Sequence, residues 1–212
     1  MVLQHEGDGL RRTTSFEQCR TRFARPLRPK KSKPGQGRAK FTPFLALFIA
    51  SGWPAPSAVA ETTRRDLQIL VRAMGFMERP LSGAADVGIV YPQQLDSGCA
   101  EAVRLAATFG DELRAGGLLL RPELVTTEAA GQAEAATLLL TNATIPQAAR
   151  VAASVTGRSA LTVASDRSLV GAGPVVMVVR GGPGGEILVS RAAAQVAGVN
   201  FAAAFRMMGQ ER

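Results

Sequence analysis

Apolar residues recur along this chain in two rhythms. From Leu67 they fall at three- and four-residue steps (Leu67, Leu70, Val71, Met74, Met77), which predicts an amphipathic helix ending before Pro80. Thr63-Arg64-Arg65-Asp66 stands in front of it as a capping pattern. The run Asp86 to Tyr91 is short and continuous, as in a strand buried on both faces, and Pro92 stops it. A second helix is expected from Asp96 or Ser97, with Cys99, Val103, Ala106 and Phe109 inward.

The alternation continues downstream. Leu118 to Val125 reads as a strand, and Pro122 inside it suggests an edge or a bend. Ala136 to Thr141 is expected as a central strand, and Ala160 to Ala164 as the next one. Between them, Thr144-Ile145-Pro146-Gln147 has a capping-box pattern with an early proline, and Gly157 suits the left-handed close of the helix. Val175 to Val179 and Glu186 to Val189 flank Arg180-Gly181-Gly182-Pro183-Gly184-Gly185, a hairpin with a flexible tip. Ser190 is placed to cap a terminal helix that Gly198 interrupts and Asn200 restarts through Phe201, Phe205 and Met208. Strands alternating with helices predict a Rossmann-like α/β layered sandwich: a mostly parallel sheet with a C-terminal antiparallel hairpin and helix.

Charge changes the picture at the front of the chain. Of 25 Lys and Arg and 17 Asp and Glu, residues 1–60 hold eleven basic and three acidic ones, so the remainder is neutral on balance. A basic stretch ending at Lys40 runs into an apolar segment, Phe41 to Trp53, followed by Ser57-Ala58-Val59-Ala60. Those are the parts of a secretory signal peptide with small residues at the cleavage positions. Thirteen or so apolar residues broken by Pro43 fall short of the ~20 that anchor a helix in a bilayer. The expected organisation is therefore a leader over 1–60, cleaved after Ala60, and one domain over 61–212 exported to the periplasm.

Composition then excludes chemistry. The last Lys is Lys40, the only His is His5 and the only Trp is Trp53. Histidine-dependent nucleophiles, zinc centres, Schiff-base lysines and P-loops have no side chains to work with after residue 60. Gly171-Ala172-Gly173-Pro174 leads into a strand, the inverse of a dinucleotide fingerprint. No catalytic, metal or cofactor residue is assigned, and nucleic acid is not expected as a partner. Cys19 leaves with the leader on this reading, so no intramolecular bridge is expected. Cys99 is then a small buried side chain on a helix face, or the site of an intermolecular disulfide. Asp166, after a strand, lies where α/β folds hold ligands, although a solvated turn also explains it.

The carboxyl half carries a resemblance. Ser159 to Asp166 with Leu161, Thr162 and Val163, then Gly173 before an apolar strand, then Glu186 to Ser190 before an alanine-rich helix, then the Ala197-Gly198 step, together resemble the YfiR-like family of small periplasmic regulatory proteins. The specific motifs cover roughly 158–208. Ser190 stands where that family has Asn, and Ala172-Gly173 replaces its paired glycines. The family's strand cysteine near position 136 is missing, since Ala136 and Thr137 occupy that place. The resemblance implies a non-enzymatic repressor that binds the periplasmic domain of an inner-membrane diguanylate cyclase or similar sensor and lowers cyclic-di-GMP output. It also implies sequestration by an outer-membrane lipoprotein and a homodimer. The alternative expectation is a small-ligand-binding component of a periplasmic uptake or sensing system, using a crevice at the strand carboxyl ends.

Overall fold

The computed structural model describes Cys19 and residues 62–212, apart from 79–80, 111, 116, 172, 183, 204, 206–209 and 212. The rest of the expected leader, Pro80, Ala172, Pro183 and Met208 lie outside the described residues.

Helix α1 (Arg64–Met74) begins with the expected capping box: Thr63 and Asp66 exchange side-chain and backbone bonds. Its buried positions Leu67, Leu70, Val71 and Met74 recur at helical spacing and drive it onto the sheet. Strand β1 (Gly83–Tyr91) starts three residues before the expected one and ends at Pro92. Helix α2 (Asp96–Phe109) buries Cys99, Ala102, Leu105, Ala106 and Phe109. Then follow β2 (Leu113–Ala115), β3 (Leu118–Thr126), β4 (Thr137–Leu140), α3 (Ala148–Ser154), β5 (Leu161–Ala164), α4 (Ser168–Gly171), β6 (Met177–Arg180), β7 (Glu186–Val189), α5 (Arg191–Ala197) and β8 (Gln210–Glu211).

The described strands form one sheet in the order β2-β3-β1-β4-β5-β6-β7-β8. From β3 through β6 every pair is parallel, while β2 with β3 and β6 with β7 are antiparallel. The fold is thus Rossmann-like α/β, mostly parallel, with a late hairpin. Successive residues alternate between its faces. Ile89, Leu139, Val163 and Met177 pack with α1, α2 and α5, whereas Val90, Leu138, Leu140 and Val178 pack with α3 and α4. Two buried faces explain why the central strands β4 and β5 are mostly apolar, with only Thr137 in β4 and Thr162 in β5 as polar positions.

Two expectations need correction. Thr144 does not cap a helix: residues Asn142–Gln147 form a 3-10 turn without a side-chain cap, and α3 starts only at Ala148. The Thr144 hydroxyl is drawn instead to the buried Val90 carbonyl, 2.8 Å away. Gly198 closes α5 in the left-handed conformation, as expected; Phe201 then makes an antiparallel bridge with Met77 and stacks on Phe205, 5.0 Å between ring centroids, and Ala203 and Phe205 are helical again.

The second correction concerns the cysteines. Cys99 is bonded to Cys19 across 80 residues of sequence, not held free for a second molecule. Both are nearly inaccessible, at 2% and 3% exposure, and Cys19 belongs to the same apolar cluster as α1 and α2. Burial of residue 19 beside the first turn of α2 makes the intramolecular bond and conceals Cys99 from other chains. A cut after Ala60 would leave the front segment attached through this bond.

Candidate functional site

In sheets of this kind the parallel strands change direction of addition at one point, and ligands collect outside the strand carboxyl ends there. Here the chain adds β3 on one side of β1 and β4 to β6 on the other, so the switch point lies between β1 and β4. The polar groups at that point are engaged with one another. The hydroxyls of Thr141 and Thr144 stand 2.8 Å apart, and both reach the Val90 carbonyl at 3.0 and 2.8 Å. Thr127 donates to the carbonyl of Tyr91 at 3.1 Å.

Glu101, from the second turn of α2, completes the closure. Its carboxylate accepts the backbone N–H groups of Asn142 at 2.8 Å and Ala143 at 3.1 Å. Backbone amides after a strand are where such folds offer positive potential to a ligand's anion, and here a side chain of the protein takes that place. Gly98 lets α2 come close: a Cβ there would stand 2.9 Å from the Pro92 ring and 3.2 Å from Ala143 Cβ. At the rim, Glu128 bonds Gln94 at 3.3 Å and Arg150 at 3.1 Å. A hydrogen bond from its own backbone holds the Glu128 carboxyl below the ordinary glutamate range, helped by Gln94 and Arg150 against a desolvation cost.

Open space lies further along the same end of the sheet. A cavity of about 530 Å³ is bounded by Thr63 and Asp66 at the start of α1, by Ser165 after β5, and by residues 179–182 and 184–186 of the β6–β7 hairpin. Asp66 is 6% exposed and fully engaged. One oxygen accepts from the N–H and hydroxyl of Thr63 at 2.5 and 2.6 Å, and the other from the N–H of Gly181. Glu186 pairs with Arg167 at 2.5 Å. Arg180 also lines the space.

The residues that carry the resemblance hold the fold and do not converge on one pocket. Leu161 and Val163 are buried in β5, and the hydroxyl of Thr162 accepts the N–H of Val176 at 3.0 Å. The Val176 carbonyl in turn accepts from the N–H of Ser190 at 2.9 Å. Ser190 caps α5 through Ala193 at 3.2 Å, and Asp166 forms a turn with the N–H and hydroxyl of Ser168 at 2.9 and 2.8 Å. Gly173 and Gly198 have φ of 84° and 74°, values only glycine adopts readily. Thr162, Val176 and Ser190 are thus tied into one staple, while Asp166, Gly173 and Gly198 close separate turns.

The switch-point plug and the cavity had no sequence signal of their own. Glu101 is one of two acids on α2, and its partners are backbone groups 41 and 42 residues away. Among the described residues, no group of three His, Cys, Asp or Glu gathers to hold a metal ion. Among them, too, no helix is long and apolar enough to cross a membrane.

No family model matches the chain, and no curated protein matches it. Among solved structures it is similar to an ABC domain in complex with L-Trp from Streptococcus pneumonia, at 12% identity and a TM-score of 0.48. That match covers 70% of this chain and 60% of the other.

Proposed function

We propose that this chain is an exported, non-enzymatic binding protein that represses a membrane-bound diguanylate cyclase or similar sensor through its periplasmic domain. The observation that carries export is the bond between Cys19 and Cys99, since disulfides persist in oxidising compartments. Regulation is supported by the resemblance of the motifs over roughly 158–208 to the YfiR-like family. Repression follows if the protein binds one state of the sensor more tightly than the other.

Affinity capture from native membrane extracts with the full oxidised chain tests this. The expected catch is a membrane protein with a cytoplasmic diguanylate cyclase domain, and deleting the gene should raise cyclic-di-GMP. Unchanged cyclic-di-GMP in the deletion strain, with no such protein captured, refutes it. A second reading, a small-ligand-binding component of an uptake or sensing system, is favoured by the cavity at the carboxyl ends of β5 and β6.

A further inference from the structure

We propose that the cavity beside the β6–β7 hairpin is a binding site for a small molecule bearing a carboxylate or phosphate, with Arg180 as its anion partner. The inference rests on the ligand-binding reading and adds the chemistry of the ligand. A volume of about 530 Å³ falls in the range of small-molecule sites.

Charge sets the sign of the ligand. Asp66 is spent on Thr63 and on the Gly181 N–H, which fixes the hairpin against α1. The register of the hairpin puts Arg180 directly opposite Glu186. Glu186, however, is held by Arg167 at 2.5 Å. The Glu186 carboxylate is thus taken by Arg167, and among the described residues Arg180 has no ion-pair partner of its own. A planar fork of donors lining a cavity suits a carboxylate or a phosphate.

The tip supplies access. A Cβ placed on Gly182 or Gly184 would meet nothing within 4 Å, so the backbone there borders open space and a ligand can lie close against it. The Gly185 N–H donates to the Gly182 carbonyl at 2.9 Å, which sets the tip as a formed turn. An anion on Arg180 would thus have a glycine wall beside it and α1 opposite.

Isothermal titration and thermal shift of the full oxidised chain with benzoate, phenyl phosphate and uncharged benzamide test the site. Saturable binding of benzoate or phenyl phosphate, with benzamide at least tenfold weaker, is the expected result, and the tighter of the two anions identifies the group. Arg180→Gln should weaken that anion about tenfold or more, the scale of a lost hydrogen bond to a charged group. Gly182→Val, whose side chain enters open space, should weaken it as well and serves if Arg180→Gln does not fold. Benzamide binding as tightly as benzoate, or unchanged anion affinity in either variant, overturns the anion site while leaving a ligand site standing. Binding of none of the three probes overturns the anion site and the ligand-binding reading together.

Discussion

The covalent link from Cys19 to Cys99 makes the strongest quantitative prediction. It closes a loop spanning 80 residues, and constraining the unfolded chain over that length is worth about 4.5 kcal/mol in the loop-entropy account. Reduction leaves both sulfurs in place, so it isolates the link from the packing of two buried side chains. Urea unfolding of the full chain, followed by circular dichroism with and without reductant, should show the loss as a midpoint lower by roughly 2 M, for a slope near 2 kcal/mol per M. The Cys19→Ala, Cys99→Ala double variant should unfold near the reduced parent or slightly below it, because it also removes buried atoms. Alkylation of denatured, never-reduced protein should leave both cysteines unmodified, and a non-reducing gel should show a monomer. Two alkylated cysteines, or a covalent dimer that reductant dissolves, would refute the pairing. An identical midpoint with the bond demonstrably present would refute the reasoning about its strength.

Two further outcomes follow from the hydrogen bonds. Glu101→Ala removes two charge-assisted bonds to backbone amides and should cost about 2–3 kcal/mol, seen by calorimetry as a melting temperature lower by roughly 5–10 °C; a drop under about 2 °C would deny the plug its role. The carboxyl of Glu112 is lowered by its bond to Arg114 and also by Arg121, against desolvation, and that of Glu128 by the contacts given above. A carboxyl with a depressed folded pKa contributes stability above its unfolded value, and this is lost as pH falls through the folded one. Melting temperature should therefore begin to fall as pH drops below the ordinary glutamate value of 4.5, and a Glu112→Gln, Glu128→Gln double variant should fall less steeply there. Equal slopes in acid titrations of the two proteins would contradict the assignment.

Periodicity revealed most of the scaffold because local forces dominate it. Leu67, Leu70 and Met74 can only share a side as a helix, and the apolar runs at Thr137–Leu140 and Leu161–Ala164 suit strands covered on both faces. Ser190 and Thr63 cap within three residues of themselves, which a sequence pattern captures. Thr144 misled because its hydroxyl had a tertiary competitor, the Val90 carbonyl 54 residues away, stronger than the local cap. Cys99 misled for the same reason: its partner lies in a segment assigned to a leader by composition, and only packing reveals the encounter. Arg180 was visible only as the entrance to a glycine-rich tip. Its place across from an already occupied Glu186 depends on hairpin register and on Arg167, neither of which residue order states.

Pro122 has a consequence for assembly. Strand β2 covers β3 only from Leu118 to Leu120, and among the described residues no strand lies beyond the remaining stretch. That stretch pairs inward with β1 through Pro122, which has no N–H to offer a newcomer, and it is flanked by Arg121 and Glu123. A neighbouring molecule arriving along this margin meets a gap in the hydrogen-bond ladder and two charges to desolvate, so growth of a continuous intermolecular sheet stops there. Self-association of this protein would then have to use surfaces other than this margin, and it should not lengthen into fibres from that side.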